Sequence, residues 1–226
     1  MSVVWAQKQD TPYEFPTKPG SAQWQAFKSV QDMYDACQLP AAVLSNLSTK
    51  ALLETCLNYP ARAVLMVQNT PQQGFNTWRA NFNGVEALLK RTDVVQELLN
   101  VYTAFDPKGH QKLATDVEKG GYAFRLKVLE NIMAQQDILG KLTALQQQQF
   151  LRVALSHYAI METDSVYGFA ALASVGRVVA GIAALQPAAR LKAGTLTAET
   201  AEFIKTGMLH NRETLSAIIS AAKNGN

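Results

Sequence analysis

The sequence is short of the residues and spacings on which most chemistry is built. It has 2 cysteines in 226 residues, Cys37 and Cys56, and no Cys-x-x-Cys, so a zinc site or a thiol redox pair has no support. Its 3 histidines, His110, His157 and His210, lie far apart, and none belongs to a His-x-x-x-His spacing. Charged residues make up 17% of the chain, and no basic run exceeds Lys90-Arg91. With 21 basic and 18 acidic residues the net charge is only +3, which lacks the concentrated positive face that nucleic-acid binding draws on. No Gly-x-Ser-x-Gly elbow is present, and the nearest serine, Ser174 in Ala173-Ser174-Val175-Gly176, lacks that context. No glycine-rich loop opens a helix in the manner of a phosphate site. The 13 glycines and 8 prolines are too few for a disordered or collagen-like chain. No segment alternates polar and apolar residues between turn pairs, so essentially no β-sheet is expected. The sequence nominates no catalytic residue, no metal ligand and no cofactor.

What is present is helix punctuation. At 48% apolar the chain has ample material for a globular core. From Ser29 to Phe105 about seven short helices follow one another, each opened by a cap and closed by a stop. Ser29-Val30-Gln31-Asp32-Met33-Tyr34-Asp35-Ala36-Cys37 is echoed by Ser48-Thr49-Lys50-Ala51-Leu52-Leu53-Glu54-Thr55-Cys56. Each has a cap hydroxyl, an apolar pair, a carboxylate and a cysteine, and each runs into a proline, Pro40 or Pro60. One echo falls short of the three units that a repeat array needs. Further helices are expected over 40–46 and 61–68, from Thr70-Pro71, where Gln73 can reach back to the cap, from Asn81 or Asn83, and from Thr92-Asp93. Longer helices follow over 116–136, 142–160 and 165–185. A loop is expected over 186–197, with closing helices over 198–208 and 212–223. The expected inward stripes are Val117, Gly121, Phe124, Val128 and Ile132 on the first long helix, and Leu145, Leu151, Leu155 and Tyr158 on the second. Gly120-Gly121 marks a close helix approach or a break. The architecture is all-α: an array of short antiparallel helices over 29–105 continuing into a bundle of longer ones, in a solenoid-like stack. Residues 29–226 form one multi-helical domain, with 106–114 as a candidate sub-boundary.

The chain starts with Met1-Ser2-Val3-Val4-Trp5-Ala6-Gln7, too short for a secretory signal but similar to the tail of one, with Ala6 as the small residue before cleavage. Export is the expectation, with a signal lying upstream; an ordinary cytoplasmic start is the alternative. Residues 8–22 hold Pro12, Pro16 and Pro19 and read as an extended lead. Tyr13, Phe15, Trp24 and Phe27 are the side chains expected to dock it.

The block Leu47-Ser48-Thr49-Lys50-Ala51-Leu52-Leu53-Glu54-Thr55-Cys56-Leu57-Asn58-Tyr59-Pro60 resembles a family of uncharacterised, secreted, all-helical proteins from Bacteroidetes-type bacteria. Asn69-Thr70-Pro71-Gln72-Gln73-Gly74-Phe75, Asn81-Phe82-Asn83-Gly84-Val85-Glu86-Ala87-Leu88-Leu89-Lys90-Arg91, Lys18-Pro19-Gly20 and Trp24-Gln25-Ala26-Phe27-Lys28 are similar to it too. The resemblance spans roughly residues 12–105. It implies export and a helical fold, and it brings no activity or catalytic residues.

A few residues stand out. Cys37 and Cys56 are expected as buried thiols; paired, they would close a loop of about 20 residues worth roughly 3 kcal/mol. Trp78 and Arg79, with Asn83-Gly84, are candidates for an interaction surface, against the reading that Trp78 packs between helices. In 165–185, Arg177 falls in the middle of a small-residue, apolar segment, which argues for a packed core helix rather than a membrane span. A buried Arg177 must find a carboxylate or carbonyl partner, and Glu130, Glu162 and Asp164 are the candidate carboxylates. His157 with Glu162 and Asp164 is the nearest approach to a cluster, although His157 and Glu162 sit about 140° apart on a helix. The functional expectation is a non-catalytic, extracytoplasmic interaction or structural module with a protein or peptide partner, and without nucleic acid or membrane insertion. The alternative is a hydrolase or enzyme inhibitor whose site is assembled in space.

Overall fold

Caps set the helix starts. Ser29 Oγ accepts from Asp32 N–H at 3.1 Å while the Asp32 carboxylate accepts from Ser29 N–H at 3.0 Å, a reciprocal box that opens the helix Val30–Ala36. Ser48 caps the helix Thr49–Leu57 through Ala51 N–H, Thr70 caps Pro71–Asn81 with Pro71 in its first turn, and Thr115 with Glu118 boxes the start of Asp116–Met133. Thr143 and Gln146 form a further box on Ala144–Met161. Gln73 does not reach back to its cap; Thr70 alone serves Pro71–Asn81.

The computed structural model describes residues 8–185 and 197–224. The elements are α1 (Ala22–Gln25), α2 (Val30–Ala36), α3 (Ala41–Asn46), α4 (Thr49–Leu57), α5 (Pro71–Asn81), α6 (Asn83–Leu89), α7 (Val94–Ala104), α8 (Asp116–Met133), α9 (Gln136–Leu139), α10 (Ala144–Met161), α11 (Phe169–Ala184), α12 (Ala198–Thr206) and α13 (Arg212–Asn224). Two 3₁₀ turns, Arg62–Met66 and Pro107–Lys112, connect them. The expected helix over 61–68 is the first of these turns. Residues 1–6, with the signal-like pattern, and almost all of the loop expected over 186–197 lie outside the described residues. The fold is all-α: among the described residues the only β feature is an isolated parallel bridge between Gln9 and Leu47.

That bridge is part of how the lead segment docks. Gln9 N–H donates to the Asn46 carbonyl at 2.7 Å, Ser48 N–H donates to the Gln9 carbonyl at 2.9 Å, and Tyr13 N–H donates to Thr55 Oγ1 at 2.9 Å. Phe15 is buried edge-on against Tyr59, and Tyr59 stacks on Phe82 with ring centroids 4.2 Å apart. The two echoed helices differ in burial. α2 has no buried residue, whereas Leu52, Leu53 and Leu57 of α4 lie wholly inside.

One cluster of buried apolar side chains runs from Phe15 to Ala222. Its centre is α11, which packs against α8, α10, α12 and α13. Leu172, Val175, Val178, Val179 and Ile182 supply its apolar bulk. Gly176 and Gly181 admit Leu215 and Leu139: a Cβ at either glycine would stand 2.3 and 2.8 Å from their methyls. Among the described residues no helix is long and apolar enough to cross a membrane. On α8 the expectation for Gly120-Gly121 is corrected, because the helix continues through both and nothing lies within 4 Å of a Cβ built there. Val117 and Leu145, expected inward, lie in the first turns of their helices and are 85% and 65% exposed.

Candidate functional site

α8 and α11 converge on the Gly207–Leu209 turn that follows α12. Between them lies a pocket of about 220 Å³. Pro71, Phe169, Ala173 and Leu209 form apolar wall, and Met208 is partly exposed at the edge. The polar groups come from two helices: Lys127, Glu130 and Asn131 from α8, Ser174 and Arg177 from α11. Residues 127, 130 and 131 of α8 share a face because three- and four-residue spacings stack on a helix, and 174 and 177 do so on α11.

Glu130 has no exposed surface. Its Oε1 accepts from the Tyr102 hydroxyl at 3.1 Å, and Oε2 has no partner. Burial pushes the carboxyl up to about 8, partly offset by the Ser174 and Tyr102 hydroxyls and by the Lys127 charge. At neutral pH Glu130 is therefore mostly a neutral acid. Burial also lowers the Lys127 ammonium, whose Nζ lies 3.3 Å from the Met66 sulfur.

Arg177 is 5% exposed. Burial brings its guanidinium down to about 10, still charged at neutral pH. Nε donates to the Ile204 carbonyl at 3.0 Å, and Nη2 donates to the Lys205 carbonyl at 3.1 Å and to Gln72 Oε1. Nη1 makes only a long contact, 3.4 Å, to Asn131 Oδ1. The cation thus closes the C-terminus of α12, where unpaired carbonyls carry a partial negative charge. The partners are carbonyls and amides. Of the carboxylate or carbonyl expected for Arg177, the structure supplies carbonyls, and the three candidate carboxylates are engaged elsewhere: Glu130 takes Tyr102, Glu162 accepts from the Tyr158 hydroxyl, and Asp164 takes His110.

The remaining sequence candidates fall elsewhere. Trp78 is fully buried, stacked near Phe82 and edge-on to Phe75, so it offers nothing to an interaction surface. Arg79 reaches solvent but is held by Glu86 at 2.7 Å and Asp137 at 2.9 Å. Cys37 and Cys56 are buried and unbridged. His157 packs edge-on to Tyr102 at 4.5 Å rather than joining Glu162 and Asp164, and burial lowers it to about 4. His110 Nε2 lies 2.7 Å from Asp164 Oδ2, a pair that sequence reasoning missed because 54 residues separate them. Among the described residues no three His, Cys, Asp or Glu side chains are grouped to hold a metal ion.

Of the pocket's polar members, Arg177 stands out in the sequence by its isolated charge and Glu130 as a candidate partner for it, whereas Lys127 and Asn131 carry no sequence signal. No family model matches the chain, and no curated protein and no solved structure matches it either.

Proposed function

We propose that the protein is a non-catalytic helical binding module that takes a small, largely apolar molecule into the pocket between α8, α11 and the Gly207–Leu209 turn. The observation that carries this reading is the pocket itself, an apolar recess whose wall holds the Arg177 guanidinium with its Nη1 making only a long contact. Ligand sites pair apolar walls with a few placed polar groups that fix the ligand's orientation. A dry engineered cavity of about 150 Å³ admits benzene, so this one takes a ring or short chain of roughly ten heavy atoms. This reading puts a small molecule in place of the protein or peptide partner expected from the sequence.

The hydrolase alternative has one favourable observation: Ser174, Glu130 and Lys127 line the same pocket. Glu130 is mostly protonated at neutral pH and so is a poor base for the Ser174 hydroxyl, which disfavours this alternative.

The test is a titration of the full chain with 3-phenylpropan-1-ol, followed by amide NMR shifts. Ala173→Phe fills the pocket, and Ala170→Trp blocks it from an exposed position with little demand on the core. The expected result is saturable shifts in α8 and α11 that either variant abolishes while melting at the wild-type temperature. Undiminished binding by a folded Ala170→Trp protein would place the ligand elsewhere, and no binding at millimolar probe would end the reading.

A further inference from the structure

Resting on that binding reading, we infer that the pocket selects an anion, a small organic monocarboxylate whose head group meets Arg177 and Lys127 while its apolar body lies against Phe169, Ala173 and Leu209. The charge balance of the wall carries this. Among the described residues neither Arg177 nor Lys127 has a carboxylate within ion-pair distance, and the acid between them, Glu130, is buried. The C-terminus of α12 supplies about half a negative charge against one full positive charge on Arg177. A buried charge is ordinarily matched, and the surplus at this wall is positive.

The donors are placed for such a head group. Of the guanidinium nitrogens, Nε and Nη2 are committed to α12 carbonyls and to Gln72. Nη1 is the under-used one, and it lies on the pocket side: a Cβ on the lining residue Gly207 would stand 3.2 Å from it. Gly207 has φ +76°, so it is glycine for the left-handed turn, and its missing Cβ also keeps the approach to Nη1 open. Lys127 brings a second cation from α8, with Met66 rather than an acid beside its Nζ. Glu130, held mostly neutral by burial, sets little negative charge against a carboxylate at this wall. A planar carboxylate accepts from two donors at once, which suits the Nη1 N–H of Arg177 and the Lys127 ammonium.

The experiment compares three ligands of one shape on the full chain at pH 6.5: 3-phenylpropanoate, 3-phenylpropan-1-ol and 3-phenylpropylammonium, each titrated by calorimetry and amide NMR. The acid is expected to bind at least tenfold tighter than the alcohol, and the ammonium weakest. Lys127→Gln, at a half-buried position outside the core, is expected to keep the fold and bring the acid-to-alcohol ratio at least threefold closer to unity. Arg177→Gln removes several buried hydrogen bonds, so Lys127→Gln carries the test if that variant fails to fold. Equal binding of acid and alcohol, or preference for the ammonium, overturns the anion inference and leaves the pocket reading standing. Absence of binding by all three ends both. An unchanged acid-to-alcohol ratio in a folded Lys127→Gln protein removes Lys127 from recognition and overturns the two-cation form of the inference.

Discussion

Tyr102 donates its hydroxyl to Oε1 of Glu130 over 3.1 Å, joining α7 to α8 at a point where neither side chain touches solvent. Burial, then the neighbouring carboxyl, holds the Tyr102 phenol well above its ordinary range, so it stays a donor at every ordinary pH. Glu130 titrates instead. Its ordinary value is 4.5 and its folded value about 8, so between these the folded state holds a proton that the unfolded state has lost. Stability from this group is full below 4.5 and is lost as pH rises through about 8. Glu130→Gln removes the titration. Urea unfolding should show the variant gaining on the wild type from pH 5 to pH 9, by a few kcal/mol on the order set by the shift. A difference that does not change with pH would refute the buried-acid assignment.

The glycines of α5 and α8 should respond in opposite ways to alanine. Gly74 faces the Arg62–Met66 turn, and a Cβ there would stand 2.8 Å from the Leu65 carbonyl oxygen and 3.0 Å from its Cα. That neighbour is backbone and cannot swing aside, so Gly74→Ala should cost about 1–3 kcal/mol. Gly120 and Gly121 sit in a helix interior with nothing within 4 Å. Ala at either removes the glycine penalty of about 1 kcal/mol and should raise the melting temperature by about 2–4 °C. Thermal unfolding of the three single variants checks both signs.

These glycines also mark where the sequence was readable. Ser29, Ser48, Thr70 and Thr115 disclosed their helix starts because a cap is a contact between residues three apart. Gly120-Gly121 carries no comparable local sign of what stands opposite. The same holds at the pocket. Arg177 was legible as a buried charge from its apolar surroundings, but its partners lie 27, 28, 46 and 105 residues away, and a single sequence does not pair such positions. The Glu130 carboxyl was one of three candidate carboxylates for Arg177 and is bound instead by Tyr102, 28 residues upstream.

Asn83 should prove structural rather than part of a recognition surface. Its Oδ1 accepts from Leu39 N–H at 3.0 Å, and its Nδ2 donates to the Leu39 carbonyl at 2.8 Å, the pairing one strand makes with another. Gln38 reciprocates: its Oε1 accepts from Asn83 N–H at 3.0 Å, and its Nε2 donates to the Asn81 carbonyl at 2.6 Å. Asn83→Ala leaves two backbone groups of Leu39 unpaired and should cost about 2 kcal/mol. Asn83→Asp sets a carboxylate against the Leu39 carbonyl and should cost more at pH 7 than at pH 4. Denaturant unfolding at the two pH values measures the difference.

Cys37 and Cys56 should be inert in the native protein. Burial pushes the Cys37 thiol up to about 11 and the Cys56 thiol further, so little thiolate exists at neutral pH. A disulfide-exchange reagent at pH 7.5 should titrate no thiol quickly in the folded protein and both thiols in denaturant. Rapid native reaction at Cys37 would show that the α2 end opens readily. Recovery of a Cys37–Cys56 linked peptide from freshly purified, unreduced protein would establish the disulfide in place of the thiols.

His157 and Glu130 should together give stability an unusual dependence on pH. His157 is lowered from 6.5 to about 4 by burial, so below 6.5 the unfolded state takes up a proton that the folded state refuses. Its stability contribution is present above 6.5 and is lost as pH falls toward 4. The Glu130 slope has the opposite sign over 4.5 to about 8. Between 4.5 and 6.5 the two cancel, giving a plateau, and from 6.5 to 8 only Glu130 remains, so stability declines toward alkaline pH. Below the plateau, Glu86 held down by Arg79 and Glu118 held down by Thr115 join His157 in the acid limb. His157→Gln deletes one slope, so the plateau should tilt, with stability falling steadily from pH 4.5 to 8, while Glu130→Gln should tilt it the other way. Unfolding free energies at half-unit steps for the three proteins test this, and parallel profiles would show that these two buried groups do not set the pH dependence.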